Sequence, residues 1–139
     1  MSDFSNPLTE GGCLCGAVRY RISGPASDPT LCHCATCRRA AGSPVVAWVT
    51  VPRSGFALAA GQPVTYRSSS EVVRTFCGVC GTPLTYQHAK LPGEIDVTTC
   101  SLDEPEAHPP HDQVWTSHRL GWMARAGELP AFARRRGSP

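Results

Sequence analysis

The sequence predicts a mainly β fold pinned by metal, and three observations predict it. Short β-prone runs recur along the chain with almost no helical periodicity between them. Glycine and proline supply 13 residues each of 139, so the chain turns often, which suits short strands better than long helices. Seven of the eight cysteines fall into three tight groups, Cys13-Leu14-Cys15, Cys32-His33-Cys34-Ala35-Thr36-Cys37 and Cys77-Gly78-Val79-Cys80.

By length the chain is a single domain, residues 1–139, too small for two independent cores. Residues 1–10 are polar and carry Pro7, and are expected to form a loose arm. Ala17–Ser23 alternates, with Val18, Tyr20 and Ile22 on one face, and reads as a half-buried strand closed by Gly24-Pro25. Asp28-Pro29 reads as a turn into the central cysteines, and Arg38–Gly42 as one helical turn ended by glycine. Val45–Val51 is the most β-prone run; its nearly continuous apolar character predicts a core strand buried on both faces. Phe56–Gly61 reads as a short turn or strand, and Val64–Arg67, Val72–Phe76, Thr82–Tyr86 and Glu94–Thr99 as strands. His108-Pro109-Pro110-His111 forbids regular structure, Gln113–Ser117 reads as a last strand, and 134–139 as a solvated tail.

The cysteines decide between two chemistries. Eight could make four disulfides in a secreted protein. The N-terminus, however, has no basic region followed by an apolar one, and no stretch approaches the ~20 apolar residues that span a bilayer. The expected setting is therefore the cytoplasm, where thiols stay reduced and clustered cysteines hold zinc. Net charge is +2, with arginines collected at Arg134, Arg135 and Arg136, too weak a basic face to predict nucleic-acid binding.

Spacing divides the seven grouped cysteines into four and three. Cys13, Cys15, Cys77 and Cys80 would make a closed tetrahedral site joining the start of the chain to its middle. Cys32, Cys34 and Cys37 form a compact three-thiolate set, and alternation along extended backbone turns His33 away from the ion its neighbours share. Such a set suits a soft fourth ligand, a substrate thiol, with Arg38 and Arg39 near enough to offset charge or grip a carboxylate. Spacing equally allows Cys100 or a histidine to close the site, which would then be structural. Cys100, in a β-prone run, reads as a buried small apolar residue, and Trp48, Trp115 and Trp122 as core. His88, His108, His111 and His118 read as surface or loop residues.

The ordered set Gly12–Gly16, Cys32–Arg38, Phe76–Gly81 and Ser101-Leu102-Asp103-Glu104-Pro105 resembles the glutathione-dependent formaldehyde-activating enzyme family, which includes centromere-protein-V-like proteins. The resemblance spans nearly the whole chain, including the ending with Trp115, Ser117, Trp122 and Leu129-Pro130. It implies a β-tent of short antiparallel sheets, a structural zinc on Cys13, Cys15, Cys77 and Cys80, and a catalytic zinc on Cys32, Cys34 and Cys37. It also implies a carbon-sulfur lyase forming S-hydroxymethylglutathione from formaldehyde and glutathione. Cys100 sits where that family commonly has a small residue such as glycine.

The leading expectation is thus a zinc-dependent carbon-sulfur lyase-like enzyme acting on glutathione-type thiol adducts, with His33 and Arg38 assisting. A second is a non-catalytic zinc-stabilised module that binds a protein or nucleic-acid partner through its basic tail. A third is a thiol redox switch between Cys34 and Cys37.

Overall fold

The computed structural model describes residues 8–139, so the expected loose arm over 1–7 lies outside the described residues. The strands are β1 (Thr9–Gly12), β2 (Arg19–Ile22), β3 (Ser27–Cys32), β4 (Val46–Pro52), β5 (Phe56–Ala60), β6 (Val64–Arg67), β7 (Val72–Phe76), β8 (Pro83–His88), β9 (Glu94–Thr98) and β10 (Asp112–Val114), most of them on the alternating and apolar runs. One α-helix, α1 (Ala35–Ala41), follows β3. Among the described residues no helix is long and apolar enough to cross a membrane.

The fold is mainly β, as expected, and is built from two sheets. Strands β1-β2-β5 form a small antiparallel sheet, and β10-β3-β4-β9-β8-β7-β6 form a larger one in which only the β10–β3 pair is parallel. Strand β4 is central and is buried on both faces, as its apolar run predicts. Its Val49 and Val51 meet Tyr20 and Ile22 of β2, Leu84 of β8, and Ile95 and Val97 of β9 in the main core. Each such aliphatic side chain, fully buried, contributes about 1.5–3 kcal/mol. On the opposite face Val46 and Trp48 pack against Cys32 and Cys37, so that side of the sheet lies beneath α1.

Tyr20 shows how the sheets are fastened. Its ring stacks on Phe56 with centroids 5.3 Å apart, and burial pushes its phenol up to about 12, so it remains a donor. It donates to Ser101 Oγ at 2.6 Å, and Ser101 in turn donates to the Thr98 carbonyl at 2.9 Å. A Cβ on Gly11 would overlap both the Tyr20 hydroxyl and the Ser101 carbonyl, so β1 can lie this close only as glycine. Gly11→Ala is expected to destabilise the fold by about 1–3 kcal/mol through overpacking, read as a lower urea midpoint at unchanged slope.

Several local expectations are corrected. Strand β1 starts at Thr9, inside the stretch expected to be loose, because it pairs with β2 from Thr9↔Ile22 to Gly12↔Arg19. Asp28-Pro29 is not a turn before the cysteines but an irregularity within β3, where the register to β4 slips between Ser27 and Thr30 and Asp28 takes φ +49°. Helix α1 begins three residues before Arg38, because Cys34 Sγ accepts from the Cys37 N–H and caps it; Gly42 ends it at φ +62°. Strand β10 stops at Val114, since Trp115 turns to φ +56°. Trp115 and Trp122 are exposed rather than core, and Cys100 is exposed in a 3-10 turn rather than buried.

Candidate metal centre

The four-cysteine group is assembled by two turns. Cys13 and Cys15 lie in the β1–β2 connection, and Cys77 and Cys80 in the turn after β7, where Gly16 (φ +83°) and Gly81 (φ +84°) take the left-handed conformations. All four sulfurs lie within 4.8 Å of one another, with Cys13 to Cys15 at 3.6 Å and Cys15 to Cys77 at 3.8 Å. A tetrahedron of thiolates around zinc has sulfur–sulfur edges of about 3.8 Å, whereas a disulfide needs about 2.05 Å. The donors also fit a metal: Cys13 Sγ accepts from Val18 N–H at 3.2 Å, and Cys77 Sγ from Val79 N–H at 3.3 Å and Cys80 N–H at 3.4 Å. The Thr82 hydroxyl and backbone hold the Cys80 thiol down to about 5. Such bonds favour the thiolate, the form that binds metal.

The three-cysteine group is built where β3 runs into α1. Cys32 ends the strand, Cys34 caps the helix and Cys37 lies in its first turn, which brings their sulfurs within 4.8 Å of one another. Among the described residues no fourth cysteine, histidine or carboxylate atom joins this set at that spacing. Both groups are thus able to hold a metal such as zinc, the ion that closely packed thiolates select. All eight cysteines are free thiols.

The three cysteines open on a cleft of about 620 Å³ whose floor is the larger sheet. Strand register lines up Thr50 of β4, Asp96 of β9, Tyr86 of β8 and Arg74 of β7 as one cross-strand row, and all four line the cleft. Trp115 and His118 form a wall, their rings 5.1 Å apart, and His118 Nδ1 accepts from the Ala35 N–H at 3.3 Å. Asp28 and Trp115, the non-glycine residues of positive φ among those described, both border this cleft. Backbone strain of that kind costs about 1–3 kcal/mol per residue and collects at functional sites.

Arg74 was invisible as a site residue in the sequence. Its side chain is 9% exposed, with Nη2 and Nη1 at 3.7 and 3.8 Å from Cys37 Sγ, Nε donating to Ser68 Oγ at 3.3 Å, and its guanidinium 5.0 Å above the Tyr86 ring. The signal was an arginine in the middle of the β-prone run Val72–Phe76, a position where burial requires a partner. Hydrogen bonding from Cys32, with Cys34 and Arg74 adding to it, holds the Cys37 thiol down to about 5 despite burial. The same bond, with burial, pushes Cys32 far above the usual thiol range. Arg74→Gln is expected to weaken metal retention at the three-cysteine group about 10–100-fold while leaving the four-cysteine group loaded, measured by chelator competition.

His33 and Arg38 sit behind the cleft rather than in it. His33 is 1% exposed; its Nε2 lies 2.8 Å from Gln113 Oε1 and its backbone N–H donates to the Val114 carbonyl at 3.1 Å, so it fastens β10 to the end of β3. Arg38 Nε donates to the His33 carbonyl at 3.3 Å. Neither residue lines the cleft, and both act on the backbone that carries Cys32, Cys34 and, through β10, Trp115.

Fold and site together define a mainly β protein with two cysteine groups able to hold a metal, one of four and one of three. The glutathione-dependent formaldehyde-activating enzyme family model matches residues 8–118, and the chain belongs to this family. It is 35% identical over 118 residues to an uncharacterized lyase of Schizosaccharomyces pombe, covering 73% of this chain and 85% of that protein. A Halomonas elongata protein that carries the family's name is 28% identical over 111 residues, covering 74% of this chain and 71% of the relative. A crystal structure of a Rhodobacter sphaeroides protein superposes with a TM-score of 0.62 at 25% identity, over 76% of this chain and 99% of that one.

Proposed function

We propose that this chain is a zinc-dependent carbon-sulfur lyase-like enzyme that joins a glutathione-type thiol to a small aldehyde, formaldehyde in the family's named reaction, in the reducing setting of the cytoplasm. The observation that carries the reading is the difference between the two cysteine groups: one is a complete set of four, and the other is a set of three facing a cleft. In this reading Cys13, Cys15, Cys77 and Cys80 hold a structural zinc, and Cys32, Cys34 and Cys37 hold the working one.

When bound at the three cysteines, zinc supplies a soft Lewis-acid position that favours the deprotonated form of an incoming thiol. The chain's own residues do the rest. Arg74 compensates thiolate charge at Cys37, His33 and Arg38 hold the backbone that positions the set, and Trp115 and His118 narrow the cleft over the guest. Positioning two small reactants together is the main catalytic resource here, since forming a hemithioacetal requires no strong base beyond removal of the thiol proton.

The test is a calorimetric titration of the zinc-loaded protein with glutathione. One glutathione per chain is expected, with binding lost in Cys34→Ser, while S-methylglutathione, which offers no ionisable thiol, binds far more weakly. Equal binding of the two ligands, or of neither, contradicts the reading.

A further inference from the structure

The proposed reaction moves one proton. A thiol arrives protonated at neutral pH and leaves as a thioether, while the aldehyde oxygen becomes a hydroxyl. Some group in the cleft has to receive the sulfur's proton and give it back to oxygen, and the lining residues differ sharply in fitness for this. Arg74 is permanently protonated. Burial raises the Tyr86 phenol further above neutrality, so it keeps its own proton and is no base for the thiol's. Asp28, Asp112 and His118 are the exposed titratable residues of the lining, open to solvent rather than enclosed on the floor.

Asp96 is different. It stands on the floor of the cleft, half-buried, one step along the cross-strand row from Tyr86 and two from Arg74, and Thr50 Oγ1 donates to its Oδ1 at 2.7 Å. That bond fixes one carboxylate oxygen and leaves the other for the cleft. Burial, with Glu94 on its own strand, Asp28 on β3 and Cys37 on α1 adding negative charge, holds this carboxyl above the usual carboxylate range, while Thr50 pulls it back.

We propose that Asp96 is the proton carrier of the site, a catalytic residue that touches the reacting atoms from the cleft floor. The proposal rests on the thiol-and-aldehyde reading above. As the thiol binds, its S–H bond breaks and the proton passes to the Asp96 carboxylate. The sulfur lone pair then forms the C–S bond, the carbonyl π pair moves to oxygen, and that oxygen takes the proton back from Asp96. Asp96 ends as it began, and thiol and aldehyde add together with no oxidant, reductant or further co-reactant.

The experiment measures proton release on thiol binding. Zinc-loaded wild type and D96N are titrated with glutathione in buffers of different ionisation enthalpy across the neutral range, with metal content checked at each pH. D96N should bind glutathione but release about one more proton per thiol than wild type at pH values where the wild-type carboxylate can accept it, with kcat lowered about 100-fold. T50V should move the acid limb of kcat/KM to higher pH, because the carboxyl loses the bond that held it down. Equal proton release from wild type and D96N at every pH, wild-type turnover in D96N, or an unmoved acid limb in T50V overturns the role. Wild-type protein that binds no glutathione overturns the thiol reading of the site, and this role with it.

Discussion

Replacing Cys77 by serine should leave the chain unfolded under conditions where the wild type is folded. Cys77 is 1% exposed and lies in the main core with Cys13, so the four-cysteine group is part of the packing that joins β2 to β7 and β8. A structural zinc in such a site is worth about 10–16 kcal/mol of apparent binding free energy, which is folding free energy when the unfolded chain has no site. A domain of this size has a net stability of about 5–15 kcal/mol, so loss of one ligand removes a share comparable with the whole. Serine makes the deficit worse by placing a hydroxyl among buried groups in place of a thiolate that two backbone N–H groups serve. Circular dichroism with metal analysis should show loss of the β signal and of zinc together, and a strong chelator should reproduce it in the wild type. Cys100→Ser is the control: this thiol is exposed in a 3-10 turn, and its loss should change stability by no more than about 0.5 kcal/mol. A folded, cooperatively melting C77S protein would show that the sheets hold without the ion.

The second large effect is of the opposite kind. Cys37→Ser should fold yet lose thiol binding and at least about 100-fold in turnover. Cys37 belongs to the smaller cluster with Cys32, Val46 and Trp48 beneath α1, separate from the main core. The substitution removes the sulfur that both terminal nitrogens of Arg74 address, so the three-cysteine set becomes a pair and the buried guanidinium loses its anion. The expected stability loss is about 1–3 kcal/mol, from breaking a buried charge-assisted contact, and should appear as a modest fall in melting temperature. Zinc content should drop by half, from two ions per chain to one. If C37S instead unfolds as C77S does, both centres are structural and the proposed function fails.

These contrasting expectations come from a sequence whose chemistry was easier to read than its geometry. The cysteine spacing identified both groups and their membership, because thiolates that share an ion must be brought together whatever the surrounding loops do. Strand β4 was legible because a continuous apolar run can be satisfied only by burial on both faces. Strand β1 was not, since Thr9-Glu10-Gly11-Gly12 has no apolar alternation and owes its pairing to a glycine that lets Tyr20 approach. Arg74 and Asp96 were missed for a different reason. Each looks like an ordinary solvent-facing residue of an alternating strand until the register of β4, β9, β8 and β7 places them in one row. Trp115 was misread because hydrophobicity argued for the core, whereas the turn it makes after β10 sets it out at the edge of the cleft.

The division of labour between the two centres can be read from zinc-edge X-ray absorption on the fully loaded protein, before and after glutathione. The account predicts an average of about three and a half sulfurs per zinc in the free protein, rising to about four when the thiol is added, as the smaller set gains a sulfur from outside the chain. Four sulfurs per zinc without any thiol present, or a count that glutathione leaves unchanged, would contradict it.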